Sequence, residues 1–582
     1  TKSDRSWPLW ALRDWMAGAA LFAVTAGVVL WQNAHVAVLW DLGYVLDAAA
    51  RIASGQMPYR DFPLPHAPLT FLVQAAMIRL TGRIYFHHVI YVAVVGGLAT
   101  VLTWRIALNT LRGRVREPWA MALLVAAPLT VVGIYSILPN LEYDCDCAFW
   151  ILAAIWFLQR LDAERKSLVW GFAAGVFACV PLFFKQNMGL PFLFAAAGAV
   201  VLLLALNRFW VGRSSAARPE AATLLSVLAG MCVALTAAAL VLHWTVGIGD
   251  YVHWTIGFAA QRRLPAFGAM TGVYSEHSLV WTLPCVVAGL VLLRTGLGKR
   301  HWAQVVAFAL LAAPFLFTLS SLVIYDDADE RGDSLLALWP LLLALAGAMA
   351  LGNLFRLRRK PGMSAVIPLV LLVAINGTLM SQQLWGSTYA IWPLLILLVA
   401  EMLAFLENFA ASRGAAKRLT VAVAALISAT LLVCGGFYMA SEERLSYAQL
   451  PDAPVEHSTF PQLAGLATPG PFVPEFDELL RFAQANIPFD DGLILIPGEE
   501  PFYFATGRVP RFPVTLIDLT TDPYSPRETA WLARSLNIRW LIVKCDLQLK
   551  SDPTPQRAEL MQALMGEFTL AARLHGYDVY RR

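Results

Sequence analysis

Apolar runs of about 20 residues recur along this chain from Trp15 to Ala440, and each is long enough to cross a bilayer core of about 30 Å. In lipid every backbone N–H and C=O needs an internal partner, and a run of this length supplies them as a helix. The expectation is an α-helical polytopic membrane protein with about thirteen transmembrane helices. The expected spans are 15–38, 85–110, 118–138, 147–160, 167–183, 189–206, 221–247, 278–293, 303–324, 335–354, 363–380, 389–406 and 419–440. Composition agrees: 58% of the 582 residues are hydrophobic and 14% are charged, against about a quarter charged in an ordinary soluble domain. The net charge of +4 is small and scattered, which argues against nucleic acid as a partner. The seven cysteines include no CxxC pair, so neither a disulfide framework nor a zinc site is expected. The first apolar run lacks an A-x-A-like cleavage site and reads as a span, not a cleaved leader.

Alternate loops are basic: Arg112, Arg114 and Arg116; Arg160, Arg165 and Lys166; Arg208, Arg213 and Arg218; Arg356, Arg358, Arg359 and Lys360. The positive-inside rule then places the N-terminus in the cytoplasm and the C-terminal part outside. This charge pattern survives only if 41–55 and 68–81 lie as helices in the outer interface without crossing, the second being short and carrying Arg79. Residues 1–440 thus read as the membrane domain and 441–474, rich in Pro, Ser and acids, as a linker. Residues 475–582 read as a small α/β domain. Its expected helices cover 475–486, 525–536 and 556–566. Its expected strands cover 492–498, 538–544 and 577–581, with an extended stretch at 511–518.

The polar clusters fall on one side of the membrane. The first outer loop carries Asp41, Tyr44 and Asp47, then SGQMPYRDF with Tyr59, then His66. Asp41 reads either as a cap for the following helix or as a functional carboxylate at a membrane edge. PNLEYDCDC crowds Glu142, Asp144 and Asp146 into five residues with no basic neighbour, as a cation site or a solvated turn would. Lys185 stands against the charge trend at an outer edge, either snorkelling or holding a phosphate. The loop Gly249–His277 carries His253, Arg262 and Arg263, and SQQLWGSTY carries Gln383 and Tyr389. A transporter more often places ionisable groups near the bilayer midplane and shows repeat symmetry. Here most span centres are uncharged and no repeat stands out.

The run Asp41–Gly82 resembles the first outer loop of GT-C glycosyltransferases. It is most similar to the bacterial relatives of dolichyl-phosphate-mannose-type mannosyltransferases, which include lipid A aminoarabinose transferases and protein O-mannosyltransferases. Asp41 opens the first helix, SGQMPYRDF follows, and His66-Ala67-Pro68 stands where the family often doubles a proline. The region Glu142–Asp146 corresponds to the family's second acidic motif. The resemblance implies transfer of a sugar from a polyprenyl-phosphate donor to a hydroxyl of an envelope lipid, polysaccharide or protein. The setting it implies is the outer face of a bacterial inner membrane. The chemistry it implies needs a base, for which Asp41 is the candidate, a second carboxylate, Glu142 or Asp144, and positive charge for the leaving phosphate, for which Lys185, Arg262 and Arg263 are candidates by location and not by motif. Tyr44, Tyr59, His66, His253, Gln383 and Tyr389 are candidate substrate contacts. A divalent metal (Mg, Mn or Ca) held by Asp41 and Asp144 is a further expectation. The alternative is a flippase, carrier or assembly protein for lipid-linked glycans.

Overall fold

The computed structural model describes residues 11–164, 166–209, 220–262, 267–357, 362–380, 384–409, 413–518, 521–550 and 555–582. It opens with α1 (Leu12–Asn33), α2 (Leu39–Ala53), α3 (Leu69–Thr81), α4 (Tyr85–Leu111), α5 (Pro118–Ala126), α6 (Leu129–Val132) and α7 (Tyr143–Arg160). Among the described residues, eight helices are long and apolar enough to cross a membrane. Four shorter apolar helices, at Pro118–Val132, Leu168–Phe183, Leu279–Arg294 and Met363–Leu379, cover further expected spans. Helix α7, with two acids in its first turn, covers the remaining one. The chain is a multi-pass α-helical membrane protein.

Two expected spans differ in outline. Helix α1 stops at Asn33 rather than 38. The stretch 118–138 breaks between α5 and α6 and ceases to be helical after Val132. Pro128, which has no N–H, sits at that break. Residues 133–142 then run as buried turns toward α7.

Helix α3 is 13 residues long, about 20 Å at 1.5 Å per residue, which is too short to cross. Helix α2 ends at Ser54, followed by Gly55 at φ +104. It does not lie bare on a surface, because Leu42 through Ala49 are all buried.

What covers α2 is the C-terminal part of the chain. Its four-stranded sheet has the order β3 (Gly492–Ile496), β4 (Ile538–Lys544), β6 (Tyr577–Arg581), β5 (Thr569–Arg573), after a small antiparallel pair of β1 (Val455–His457) and β2 (Ala467–Pro469). Strands β3 and β4 run parallel, whereas β6 is antiparallel to both β4 and β5. Alternate side chains point to opposite faces of such a sheet. Ile494, Ile496, Ile538 and Leu541 form one small core with Leu560 and Leu564. Leu493, Leu495, Trp540 and Ile542 join the core that continues into the membrane helices. The helix Pro526–Ser535 starts on a capping box, in which Ser525 Oγ accepts from Glu528 N and the Glu528 carboxylate accepts from Ser525 N.

Three features differ from the expectation. The stretch 511–518 pairs with no strand; the carbonyls of Phe512 and Val514 instead accept from Arg51 on α2, at 2.7 and 3.2 Å. Strand β5 is additional. Residues 441–474 hold β1 and β2, and Ser458 and Thr459 donate to the Asp477 carboxylate at 2.6 Å, so this segment is fastened down.

The C-terminal domain grips the first loop through backbone groups. Asp47 accepts from the N–H groups of Tyr503 (3.2 Å) and Phe504 (2.7 Å), at the start of the helix Phe502–Thr506. Gln548 accepts from Leu39 N at 2.7 Å and donates to Ala37 O at 2.9 Å. Arg83 donates to Phe504 O at 2.7 Å. At Gly43 a Cβ would lie 2.3 Å from Glu499 O, so only glycine permits this approach of α2 to the domain.

Candidate active site

The first turn of α2 presents Asp41. The helix is capped at Val38 with no side-chain hydrogen bond, so Asp41 does not act as its cap. Its carboxylate accepts from the Tyr447 hydroxyl at 2.7 Å. Tyr447 comes from the segment that leaves the last membrane helix. There it is fixed by Lys550 N donating to Tyr447 O and by the bridge between Ala448 and Leu549.

The second acidic motif divides between two sets of partners. Asp146 is buried and accepts from Thr70 (2.8 Å), Tyr91 (2.9 Å) and Tyr135 (2.8 Å). Three hydroxyls from three segments make it a packing node. Asp144, also buried, pairs instead with the Lys185 ammonium and lies 3.4 Å from the Tyr389 hydroxyl. Glu142, immediately before α7, lies within electrostatic reach of Asp144, Asp41 and Lys185. Burial, reinforced by Asp144 and Asp41, lifts its carboxyl well above the ordinary carboxylate range.

A line of rings connects the first loop to this cluster. The Tyr44 hydroxyl meets His66 Nδ1 at 2.9 Å. The His66 ring stacks on Tyr143 with centroids 4.3 Å apart, and Lys185 Nζ lies 5.1 Å from the Tyr143 centroid. Tyr59, held at φ +70, donates to His66 O at 2.8 Å and sets its ring edge-on to Tyr251.

The fold therefore gathers Asp41, Tyr44, Tyr59, His66, Glu142, Asp144, Lys185 and Tyr389, which are spread over 349 positions of sequence from Asp41 to Tyr389 when both ends are counted. His253 stands apart, exposed, with its ring against Trp254. Arg263, Gln383 and the side chain of Arg262 lie outside the described residues. Tyr447 and Tyr143 are the participants that sequence reasoning missed. Tyr143 was visible between two of the singled-out acids, whereas nothing local marks Tyr447.

Of the two residues expected to hold a metal, Asp41 accepts from Tyr447 and Asp144 pairs with Lys185. Lys185 sets a cation of its own against Asp144, and among the described residues no three His, Cys, Asp or Glu side chains come close enough to hold a metal ion.

No protein-family model and no curated protein matches this sequence. Solved structures do match its fold. The apo crystal structure of the Archaeoglobus fulgidus oligosaccharyltransferase aligns at a TM-score of 0.50 with 12% identity, over 90% of this chain and 69% of that one. The fold is GT-C-like. A structure of ArnT from Cupriavidus metallidurans bound to undecaprenyl phosphate covers 98% of both chains at 11% identity, with a TM-score of 0.44. Within this GT-C-like fold, the Asp41 cluster joins the first turn of α2, the start of α7 and the Tyr447 segment that follows the last membrane helix.

Proposed function

We propose that this protein transfers a sugar from a polyprenyl-phosphate donor to a hydroxyl of a cell-envelope acceptor on the outer face of a bacterial inner membrane. The observation that carries the reading is the meeting of Asp41, Glu142, Asp144 and Lys185 from three separate segments in one cluster, Asp41 at its half-buried edge. The GT-C-like fold, shared with an oligosaccharyltransferase, supports it.

In this reading Asp41, only half-buried, takes the proton of the acceptor hydroxyl as its oxygen attacks the anomeric carbon. The bond from that carbon to the donor phosphate oxygen breaks, and the electron pair leaves with the polyprenyl phosphate. The configuration inverts, since a single displacement needs no glycosyl-enzyme intermediate. Lys185 offers the leaving phosphate positive charge in a low-dielectric setting, and Arg262 and Arg263 belong to the same role by their place in the chain. Asp144 holds Lys185 in position until the donor arrives. Glu142, whose carboxyl burial and the neighbouring Asp144 and Asp41 lift above the ordinary range, orients the acceptor by a hydrogen bond. Tyr44, His66 and Tyr389 line the cluster as substrate contacts.

The test is to mix purified protein with native membrane extract and a panel of polyprenyl-phosphate sugars, and to follow release of free polyprenyl phosphate by mass spectrometry. Release by the wild type and none by Asp41→Asn supports the reading and names the donor. Equal release by both removes Asp41 from the base role. Movement of labelled lipid across proteoliposomes with no change in its mass identifies a carrier instead.

A further inference from the structure

At the end of α1 remote from Asp41, the packing leaves a second feature that glycosyl transfer does not use. Between Asp14 and Asn33, α1 advances about 30 Å, and Asn33 lies on the active-site side, where it donates to Pro139 O. Around Asp14 at the other end gather three guanidinium groups. Arg105 is buried and lies 3.4 Å from the Asp14 carboxylate, and Arg13 lies 3.9 Å from it. Arg112 is within electrostatic reach of both Asp14 and Arg13. Asp14 is further engaged by Trp119 Nε1 at 3.0 Å. Arg160, close to Arg105, faces Glu164. Among the described residues, Asp14 is thus the carboxylate shared by Arg13, Arg105 and Arg112.

Directly beside it, α1 and α5 enclose a groove of about 440 Å³ with an almost wholly apolar lining, including Met16, Ala20, Val24 and Leu123. Arg13 and Trp119 stand at its mouth, the guanidinium 5.7 Å from the indole centroid. Met16 and Val24 are exposed, so the groove opens outward from the helix bundle. In a membrane-spanning chain that direction is the hydrocarbon of the bilayer.

We propose that this groove is a binding site for an anionic phospholipid. One acyl chain lies between α1 and α5, and the phosphodiester rests on Arg13 and Arg112. Charge complementarity at one end of an apolar slot selects this occupant over a zwitterionic lipid: basic pockets between membrane helices attract acidic headgroups, each nearby arginine strengthening the attraction. Apolar depth selects it over a free phosphate.

The site is tested on the full-length protein in detergent by native mass spectrometry, with dioleoyl phosphatidylglycerol and dioleoyl phosphatidylcholine in equal amounts. The wild type should retain phosphatidylglycerol about tenfold better. Arg13→Gln with Arg112→Gln should reduce that preference to near parity, and Ala20→Trp, which fills the slot, should lower retention of both lipids. Excess inorganic phosphate should leave the bound lipid in place. Equal retention by the wild type, an undiminished preference in the double variant, or displacement by phosphate each overturns the proposal. Photoreactive phosphatidylglycerol on the wild-type protein gives a reading that does not depend on a variant's folding. Cross-links within 13–24 and 119–123 support the site, and labelling confined to other segments overturns it.

Discussion

Tyr447 donates its phenolic hydrogen to Asp41 at 2.7 Å across 406 positions of sequence. The proposed base is thus oriented by a residue that belongs to neither outer loop. Tyr447→Phe removes one hydrogen bond and little volume. In the donor-release assay kcat should fall about 10- to 150-fold with the donor KM unchanged, the cost of a charge-assisted hydrogen bond of about 1.5–3 kcal/mol spent on geometry. A rise in KM with kcat intact would assign Tyr447 to donor binding instead.

Lys185 and Asp144 are buried partners, so removing one takes away the other's countercharge. Lys185→Met should destabilise the protein by about 3–5 kcal/mol. Adding Asp144→Asn should recover most of that loss while activity stays abolished. Thermal unfolding of the three variants closes the cycle, and additive losses would show that the pair is not coupled.

Asp146 offers a contrast with its neighbour two positions away. Its three hydroxyl donors make Asp146→Ala a stability variant: about 1–3 kcal/mol for each polar partner left buried and unsatisfied. Turnover per folded molecule should stay near that of the wild type. Full stability with lost turnover would transfer Asp146 to the chemistry.

Gly43 faces Glu499 O at a distance that no side chain tolerates. Gly43→Val should push the C-terminal domain off α2, at a cost of about 1–3 kcal/mol for overpacking. Limited proteolysis should then cleave within 441–454 faster than in the wild type. Unchanged cleavage would mean that α2 shifts and the domain stays.

Burial of Asp47 raises its pKa from 3.8 to about 7, against the lowering effect of its two backbone hydrogen bonds. A carboxyl raised in the folded state holds a proton there that the unfolded chain has released. The contribution of Asp47 to stability is therefore fullest below about pH 4 and is lost as pH climbs through about 7. Glu142 acts in the same direction. Melting temperature should fall from pH 5 to pH 8, and Asp47→Asn should flatten part of that slope. A slope untouched by the substitution would show that Asp47 is already ionised when folded.

The membrane helices were legible because a 20-residue apolar run has a single stable solution in lipid. Strands β4 and β6 were legible at their exact residues, as apolar or aromatic stretches bounded by turn residues. Strand β5 was not: Thr569–Arg573 is mostly exposed and carries no alternation. The break at Pro128 was visible as a residue but masked by the apolar run around it. In the site, Asp41, Glu142, Asp144 and Lys185 stood out because charge at a membrane edge is costly. What pairs with what was hidden. Lys185 looked like an isolated cation, and only the fold brings Asp144 to it. Asp47 looked like a companion to Asp41, yet it bonds the start of the helix Phe502–Thr506.

Gln548 completes the first turn of α2 from 509 positions downstream of Leu39. At about 5–20 residues per second a ribosome needs roughly 25–100 s to make that much chain. Through all of that time the loop bearing Asp41 waits at the membrane without the partner that finishes it. A nascent chain halted anywhere before Gln548 holds the acids of the site but lacks the side chain that satisfies Leu39 N at the start of α2.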